Sequence, residues 1–359
     1  MTEGAAFSLV QRFSIMAACA GADLLAAMDR AIAADATASR LSGQSGARVA
    51  VDVQTRLDAG AVRIKSVLWS VQVAGVGPYG LAARSARLGR DGVAWFDLVD
   101  DPALPLHALP DGARMLRYIP GRRATLQVGD GADRHILKLK KPDRRDDAVL
   151  RHRAALIAAR AIAMPGLLGL QGDHGFCQTL CPGTALDQAP CSNETLRAVG
   201  QMIATLHQQD GAALPPAPDG VDAAGWLTAI LPGLDLTSIR SGPQGGQTLC
   251  HGDLALGQIL DGPQGLFLVD LDRCHCGDAA ADLARFLVSL QDEPALVDWH
   301  AAASAICDGY LNCAPLPIGL KAALARAEVE RLQVLLSKGL ATTRRIRAGL
   351  EQAGVAWHS

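Results

Sequence analysis

Long apolar runs are missing from this chain of 359 residues: no stretch of eighteen apolar residues occurs, and no transmembrane helix is expected. An excess of one charge is missing too. With 34 Lys and Arg against 36 Asp and Glu the net charge is −2, which leaves no electrostatic footprint for nucleic acid or an acidic membrane. The start, Met1-Thr2-Glu3-Gly4, lacks a basic leader, and Arg12 interrupts the early apolar stretch, so no signal peptide is expected. The nine cysteines are scattered, and a reducing cytoplasm is their simplest home. Cys250, Cys274 and Cys276, with His251 and His275, lack the two-pair spacing of a zinc site. No internal repeat is present. The chain does have 49% apolar content, enough for sizeable cores, in a length that predicts two or three domains.

Two short blocks carry chemistry. The first is Cys250-His251-Gly252-Asp253-Leu254-Ala255-Leu256-Gly257-Gln258-Ile259-Leu260; the second is Leu268-Val269-Asp270-Leu271-Asp272. The pattern is His-x-Asp, an amide five residues after the Asp, then an apolar strand ending in Asp. Phosphoryl transfer from a nucleotide uses those residue types in that order. One carboxylate orients the acceptor hydroxyl and receives its proton, while an amide oxygen and a second carboxylate hold magnesium on the phosphates. The spacing predicts a hairpin: Ile259-Leu260 pairs with Leu266-Phe267-Leu268-Val269 across the Asp261–Gly265 turn and returns Asp270 beside Gln258. Magnesium takes oxygen ligands and only one or two carboxylates besides substrate phosphates, which suits one Asp and one amide.

These blocks resemble the catalytic loop of the aminoglycoside phosphotransferase and protein-kinase-like superfamily of small-molecule kinases. The run from Asp272 to Ala284, with Gly277-Asp278 and Asp282-Leu283-Ala284, is similar to the segment after the metal Asp in that family, with Ala279 where Pro is usual. The helix-like Ala198–His207 stretch and Leu116–Arg123 also resemble that family, so the likeness spans roughly residues 105–290. Gln258 stands where Asn is commoner, and the Gly257-Gln258 pair resembles the maltokinase and glucosamine-kinase branch, although Ala255 stands where that branch has His. The resemblance implies a protein-kinase-like α+β fold with two lobes, ATP or another nucleoside triphosphate, Mg2+, and a small-molecule hydroxyl acceptor. A sugar or amino sugar leads as acceptor, with an aminoglycoside next. The alternative is a nucleotide-binding pseudokinase with a regulatory or scaffolding role.

The pattern along the chain divides it into an N-terminal α+β cap (1–105), a small lobe (106–182) and a helical large lobe (183–359). In the cap, a helix is predicted over 22–35, a loop over 39–47, and strands at Val49–Val53, Val62–Val67 and Val71–Val73. In the small lobe, strands are predicted at 115–119, 125–128, 135–139 and 176–180, with a helix over 146–163. The large lobe reads as helices over 193–208, 222–231, 279–291, 295–313 and 318–353.

Each candidate residue has an expected role. Asp253 is the catalytic carboxylate, and His251 orients its loop. Gln258 and Asp270 are metal ligands. Asp272 joins that set, contacts the acceptor, or is a solvated strand end. Asp278 is placed to cap the helix that begins near Ala279 and to brace the loop with Asp282. Strand alternation puts Lys138 and Lys140 on one face, and Lys138 is the expected phosphate-binding residue, with Lys140 and Lys141 a solvated strand end. No Glu occurs in Ala148–Leu156, so Asp146 or Asp147 is the expected partner of Lys138. Gly121 with Arg122 and Arg123 covers phosphates or forms an ordinary turn. Trp299, His300 and Tyr310 contact the acceptor or simply pack.

Overall fold

Alternation in the first hundred residues becomes a four-stranded antiparallel meander. A computed structural model describes residues 9–13, 22–58, 61–89, 92–217, 222–231, 233–236, 239, 246–340 and 343–355. Its sheet runs in order β1 (Arg48–Asp58), β2 (Ala61–Ala74), β3 (Leu81–Gly89) and β4 (Gly92–Asp97). β2 is one strand where the sequence predicts two. The reason is a bulge: the β1–β2 register slips between Gln54 and Thr55, which shifts the parity of the buried side from Val62 and Ile64 to Val67, Trp69, Val71 and Val73. β3 carries Ala and Arg in place of strong strand formers, and no strand is predicted there. Context holds it: Arg84 pairs with Asp35 at 2.8 Å and lies over the Trp95 ring at 4.9 Å. Two helices, α1 (Ala22–Ala34) and α2 (Ala36–Ser42), flank the sheet. α2 replaces much of the predicted loop, because the Asp35 carboxylate accepts from Ala38 N–H at 2.7 Å and caps it.

The small lobe is a five-stranded antiparallel sheet of order β5-β6-β7-β9-β8: β5 (Arg114–Ile119), β6 (Arg123–Val128), β7 (His135–Lys140), β8 (Leu167–Gln171) and β9 (Gly175–Thr179). α3 (Pro142–Ala158) crosses behind it. It starts four residues before the predicted helix, since Pro142 sits at its first turn, where the missing N–H costs nothing.

The chain then enters the large lobe through the two-residue strand β10 (Thr184–Ala185) and the helices α4 (Asn193–His207) and α5 (Ala223–Ile230). A central group of short strands comes next: β11 (Thr248–Cys250), β12 (Ile259–Gly262), β13 (Gly265–Leu268) and β14 (His275–Gly277). The helices α6 (Ala279–Ser289), α7 (Trp299–Leu311), α8 (Leu320–Ser337) and α9 (Thr343–Gln352) complete it. The single helix predicted over 318–353 is therefore two, and the first ends before Gly339, whose φ of 63° lies in the left-handed region. No helix among the described residues is long and apolar enough to cross a membrane.

Two large cores result. One joins α4, α6 and α7 beneath the catalytic blocks, with Ile203, Leu268, Leu271, Phe286 and Ile306 buried together. The other joins the cap sheet to the large lobe: Val67, Val71 and Leu88 pack with Trp226 of α5, Leu332 of α8 and Ile346 of α9.

Candidate active site

The β12–β13 hairpin forms as its sequence predicts, with Ile259 opposite Leu268 and Leu260 opposite Phe267. Val269 N–H donates to the Gln258 carbonyl at 2.9 Å, so Gln258 and Asp270 flank the open end of one ladder. Gln258 Oε1 is buried and has no hydrogen-bond partner. An unpaired buried amide oxygen costs roughly 1–3 kcal/mol, so a bare oxygen on a residue that adjoins Asp270 at the ladder end fits a cation ligand. Asp270 has φ 65° and ψ 48°, a left-handed backbone on a non-glycine residue. That conformation costs about 1–2 kcal/mol and is held by the contacts of the side chain.

Those contacts come from the small lobe. Lys138 Nζ lies 2.5 Å from Asp270 Oδ1 and 2.9 Å from Asp272 Oδ1, and it sits 6.0 Å from the centre of the Phe176 ring. Burial pushes the Lys138 ammonium down, but Asp272 and then Asp270 outweigh it and hold its pKa above the ordinary lysine value. Burial likewise opposes ionisation of Asp270, yet the charge and hydrogen bond of Lys138, followed by Arg123 and His251, keep that carboxyl well below the usual range. Arg123 Nη1 stands 3.9 Å from Asp270 Oδ2.

Lys140 is not a solvated strand end. Its ammonium is 2.7 Å from Asp272 Oδ2, and the Asp272 side chain is 2% exposed. The expected partners of Lys138 are also spent elsewhere. Asp146 pairs with Arg145 at 2.7 Å and Asp147 with Arg151 at 2.9 Å. Arg151 Nη1 in turn donates to the carbonyls of Cys274 and Pro216, at 3.0 and 3.2 Å.

The loop between the blocks is held from below by Asp282. The N–H groups of His251 and Gly252 donate to its two carboxylate oxygens at 2.8 Å each, and His207 Nε2 donates to Oδ2 at 3.2 Å. Burial raises the Asp282 pKa, but His207, His251 and the Gly252 N–H more than offset it and leave the carboxyl well below the usual range. His251 is buried, and its Nε2–H donates to the Val269 carbonyl at 3.0 Å, tying the loop to the strand before Asp270. Gly252 has φ 82°, and a Cβ there would lie 2.6 Å from the Arg273 carbonyl oxygen, so the turn requires glycine. Asp253 sits next on this rigid support. It is half-exposed, and among the described residues its side chain makes no hydrogen bond or ion pair. Asp278 does not brace the loop; it caps α6 by accepting from Ala280 N–H at 2.8 Å.

Between the lobes lies a cleft of about 320 Å³. Ala124, Ile136 and Leu139 line it from the small lobe, Leu260 and Val269 from the large lobe, and the segment Gln178–Cys181 from the connection. Its polar end gathers Arg123, Lys138, Lys140, Gln258, Asp270 and Asp272. Apolar walls with a few convergent polar groups are the usual make-up of a small-molecule site.

Other predicted residues lie elsewhere. Gly121 is buried, its N–H donates to Asp101 Oδ2 at 2.6 Å, and Arg87 fills the space where a Cβ would stand. Arg122 pairs with Asp52 of the cap at 3.2 Å. The turn therefore docks on the cap, and neither residue lines the cleft, which takes Arg123 in their place. Tyr310 is a core residue, 3% exposed, with its hydroxyl 3.2 Å from His207 Nδ1, which removes it from acceptor contact. Burial pushes its phenol up to about 12. Trp299 is half-buried against the large-lobe core and stacks on the exposed His300 at 3.6 Å. Asp101 also accepts from the Tyr118 hydroxyl at 2.7 Å, a role that nothing in the sequence announces. The zinc-type residues named in the sequence do not assemble as a set. The cluster of ligand-type side chains among the described residues is His207, Cys250 and Asp282, whose His and Asp already bond each other.

The sequence pattern of the phosphotransferase enzyme family matches residues 116–316. No curated protein matches the chain. Among solved structures, an amicoumacin kinase in complex with AMP-PNP, Ca2+ and Ami is similar at a TM-score of 0.50 and 13% identity, over 68% of this chain and 88% of that one. A Plasmodium vivax ethanolamine kinase is similar at 0.47 and 12% identity, over 67% and 81%. A microcompartment-associated aminopropanol kinase is similar at 0.46 and 18% identity, over 69% and 91%. At such identities the likeness is one of fold.

Proposed function

The chain belongs to the phosphotransferase enzyme family, and from that premise we propose that it moves the γ-phosphoryl group of ATP, or of another nucleoside triphosphate, to a hydroxyl of a small molecule. One observation carries this reading: Gln258, whose side-chain oxygen has no hydrogen-bond partner, and Asp270 flank the end of the hairpin and line the cleft together with Lys138. Both donors are hard oxygens, which suits Mg2+. Gln258 and Asp270 would hold the ion, which when bound neutralises charge on the nucleotide phosphates.

The chain's own groups do the rest. Lys138 and Arg123 supply positive charge to the phosphate end of the cleft. The apolar walls take the base of the nucleotide. Asp253 orients the acceptor hydroxyl and receives its proton late, because the transition state is loose. His251 and Asp282 keep the Asp253 loop in place, one through the Val269 carbonyl and the other through two backbone N–H groups.

A sugar or amino sugar is the leading acceptor, since Gly257-Gln258 resembles the maltokinase and glucosamine-kinase branch; an aminoglycoside is next. The test is turnover with Mg-ATP across sugars, amino sugars, aminoglycosides and small amino alcohols, read as ADP formed and product mass gained. A phosphorylated product that disappears in Asp253→Asn supports the reading. Nucleotide binding with no product from any acceptor would favour the pseudokinase.

A further inference from the structure

The strand residue expected to meet the phosphates normally needs a carboxylate to hold it, and the helix behind the small-lobe sheet offers none. Both Asp146 and Asp147 of α3 are paired with arginines, at 2.7 and 2.9 Å. Arg151 and His152 take the buried side of α3 instead. His152 packs edge-on against Phe176, whose ring also lies under Lys138, and its Nε2–H donates to the Pro165 carbonyl at 2.7 Å.

Asp272 has the geometry that α3 lacks. Its Oδ1 is 2.9 Å from Lys138 Nζ and its Oδ2 is 2.7 Å from Lys140 Nζ. Each oxygen thus takes one ammonium, from two residues on one face of β7. Asp270 differs: Oδ1 takes Lys138, while Oδ2 has Arg123 no nearer than 3.9 Å. Turning Asp272 toward a cation would take the partner from Lys140 and one of two partners from Lys138, which is expensive. Turning Asp270 would leave Lys138 with Asp272.

We infer that Asp272 is the positioning residue for Lys138, a substitute for a carboxylate on α3, and that Lys140 fixes Asp272 in that role, leaving Asp270 with Gln258 to serve the metal. The inference rests on the proposed nucleotide reading of the cleft. It also assigns Lys140 a task, and it ties the small-lobe lysine to the large lobe through side chains 134 residues apart.

Chemical labelling separates these roles without knowledge of the acceptor. An acyl phosphate of ATP passes its acyl group to a lysine amine held at the phosphates, and mass spectrometry locates the modified lysine. Magnesium dependence of ADP binding, read by calorimetry, reports the metal ligands separately. Wild type should be labelled at Lys138. Asp272→Asn should lose that labelling tenfold or more, while ADP binding keeps its magnesium dependence; Asp270→Asn should lose the magnesium dependence. If Asp272→Asn does not fold with two ammonium groups facing one carboxylate, the double variant Asp272→Asn, Lys140→Met restores the charge balance and carries the same expectation. Unchanged labelling of Lys138 overturns the inference. So does a loss of magnesium dependence equal to that of Asp270→Asn, which would make Asp272 a metal ligand. A wild-type protein labelled at no lysine would remove the nucleotide reading itself, and this inference with it.

Discussion

At the scale of single residues, three carboxylates of the catalytic blocks differ in what each has left to bind. Asp253 has no partner among the described residues, Asp270 has one engaged oxygen, and Asp272 has none to spare. Asp253→Asn removes the proton acceptor and keeps the shape, so turnover should fall by about 10²–10⁴-fold while calorimetry shows nucleotide binding intact. Near wild-type turnover would assign the chemistry elsewhere. Asp270→Ala should weaken magnesium-dependent ADP binding more than Gln258→Ala does, because a carboxylate brings charge that an amide lacks. A larger effect at Gln258 in the same titration would reverse the order. Asp282 acts through structure. Its carboxyl is held below the usual range, so its contribution to stability is present above the unfolded value and drains away as pH falls below about 4. Asp282→Asn sets an amide N–H against backbone N–H donors, and should cost roughly 3 kcal/mol near neutrality in denaturant titration. That variant should also show a shallower loss of stability on acidification than wild type.

At the scale of elements, the hairpin was readable because chemistry and turn signals share one short stretch. Residues 250 to 272 hold both blocks, and the glycines at 262 and 265 close the turn between them. Elements whose identity depends on distant support were not readable. β3 is Ala- and Arg-rich and is a strand because β2 and β4 flank it. The pairing of Lys138 and Lys140 with Asp272 leaves no trace in the sequence, where Lys138 reads as a phosphate-binding residue and Lys140 as a solvated strand end. The crossing of α4 and α7 is a third case. A Cβ on Gly200 would come 2.0 Å from the Ile306 carbonyl oxygen, and one on Gly309 would come 1.9 Å from that of Arg197. The two helices therefore meet backbone to backbone, and these glycines set how closely. Gly309→Ala should force them apart at a cost of about 1–3 kcal/mol, even though alanine is the better helix former. Thermal denaturation checks the sign: a stabilised Gly309→Ala would mean that the crossing is looser than its backbone spacing requires.

At the scale of the whole molecule, the cap is a bracket across both lobes. On one side its residues hold the β5–β6 turn, through Asp101 to Gly121 and Tyr118, Asp52 to Arg122, and the Gln72 side-chain amide to the Tyr118 carbonyl at 3.3 Å. On the other side its sheet shares a buried core with α5, α8 and α9. The alternating valines announced a sheet with one apolar face, but nothing in them says which helices cover that face, and those helices begin more than a hundred residues later. A shared core makes the cap and the large lobe one cooperative unit, since neither can open without exposing the other's apolar side. Trp226 is the sharpest probe of this coupling. It is 1% exposed, and its Nε1–H donates to Thr55 Oγ1 in β1 at 2.8 Å, so it belongs to the large lobe by sequence and to the cap by contact. Trp226→Ala should cost about 3–5 kcal/mol. Calorimetry should show that loss as a downward shift of one transition, and hydrogen exchange should rise together in β1–β3 and in α8. A separate early transition confined to the cap strands, with α8 still protected, would show instead that the cap is an independent module resting on the kinase lobes.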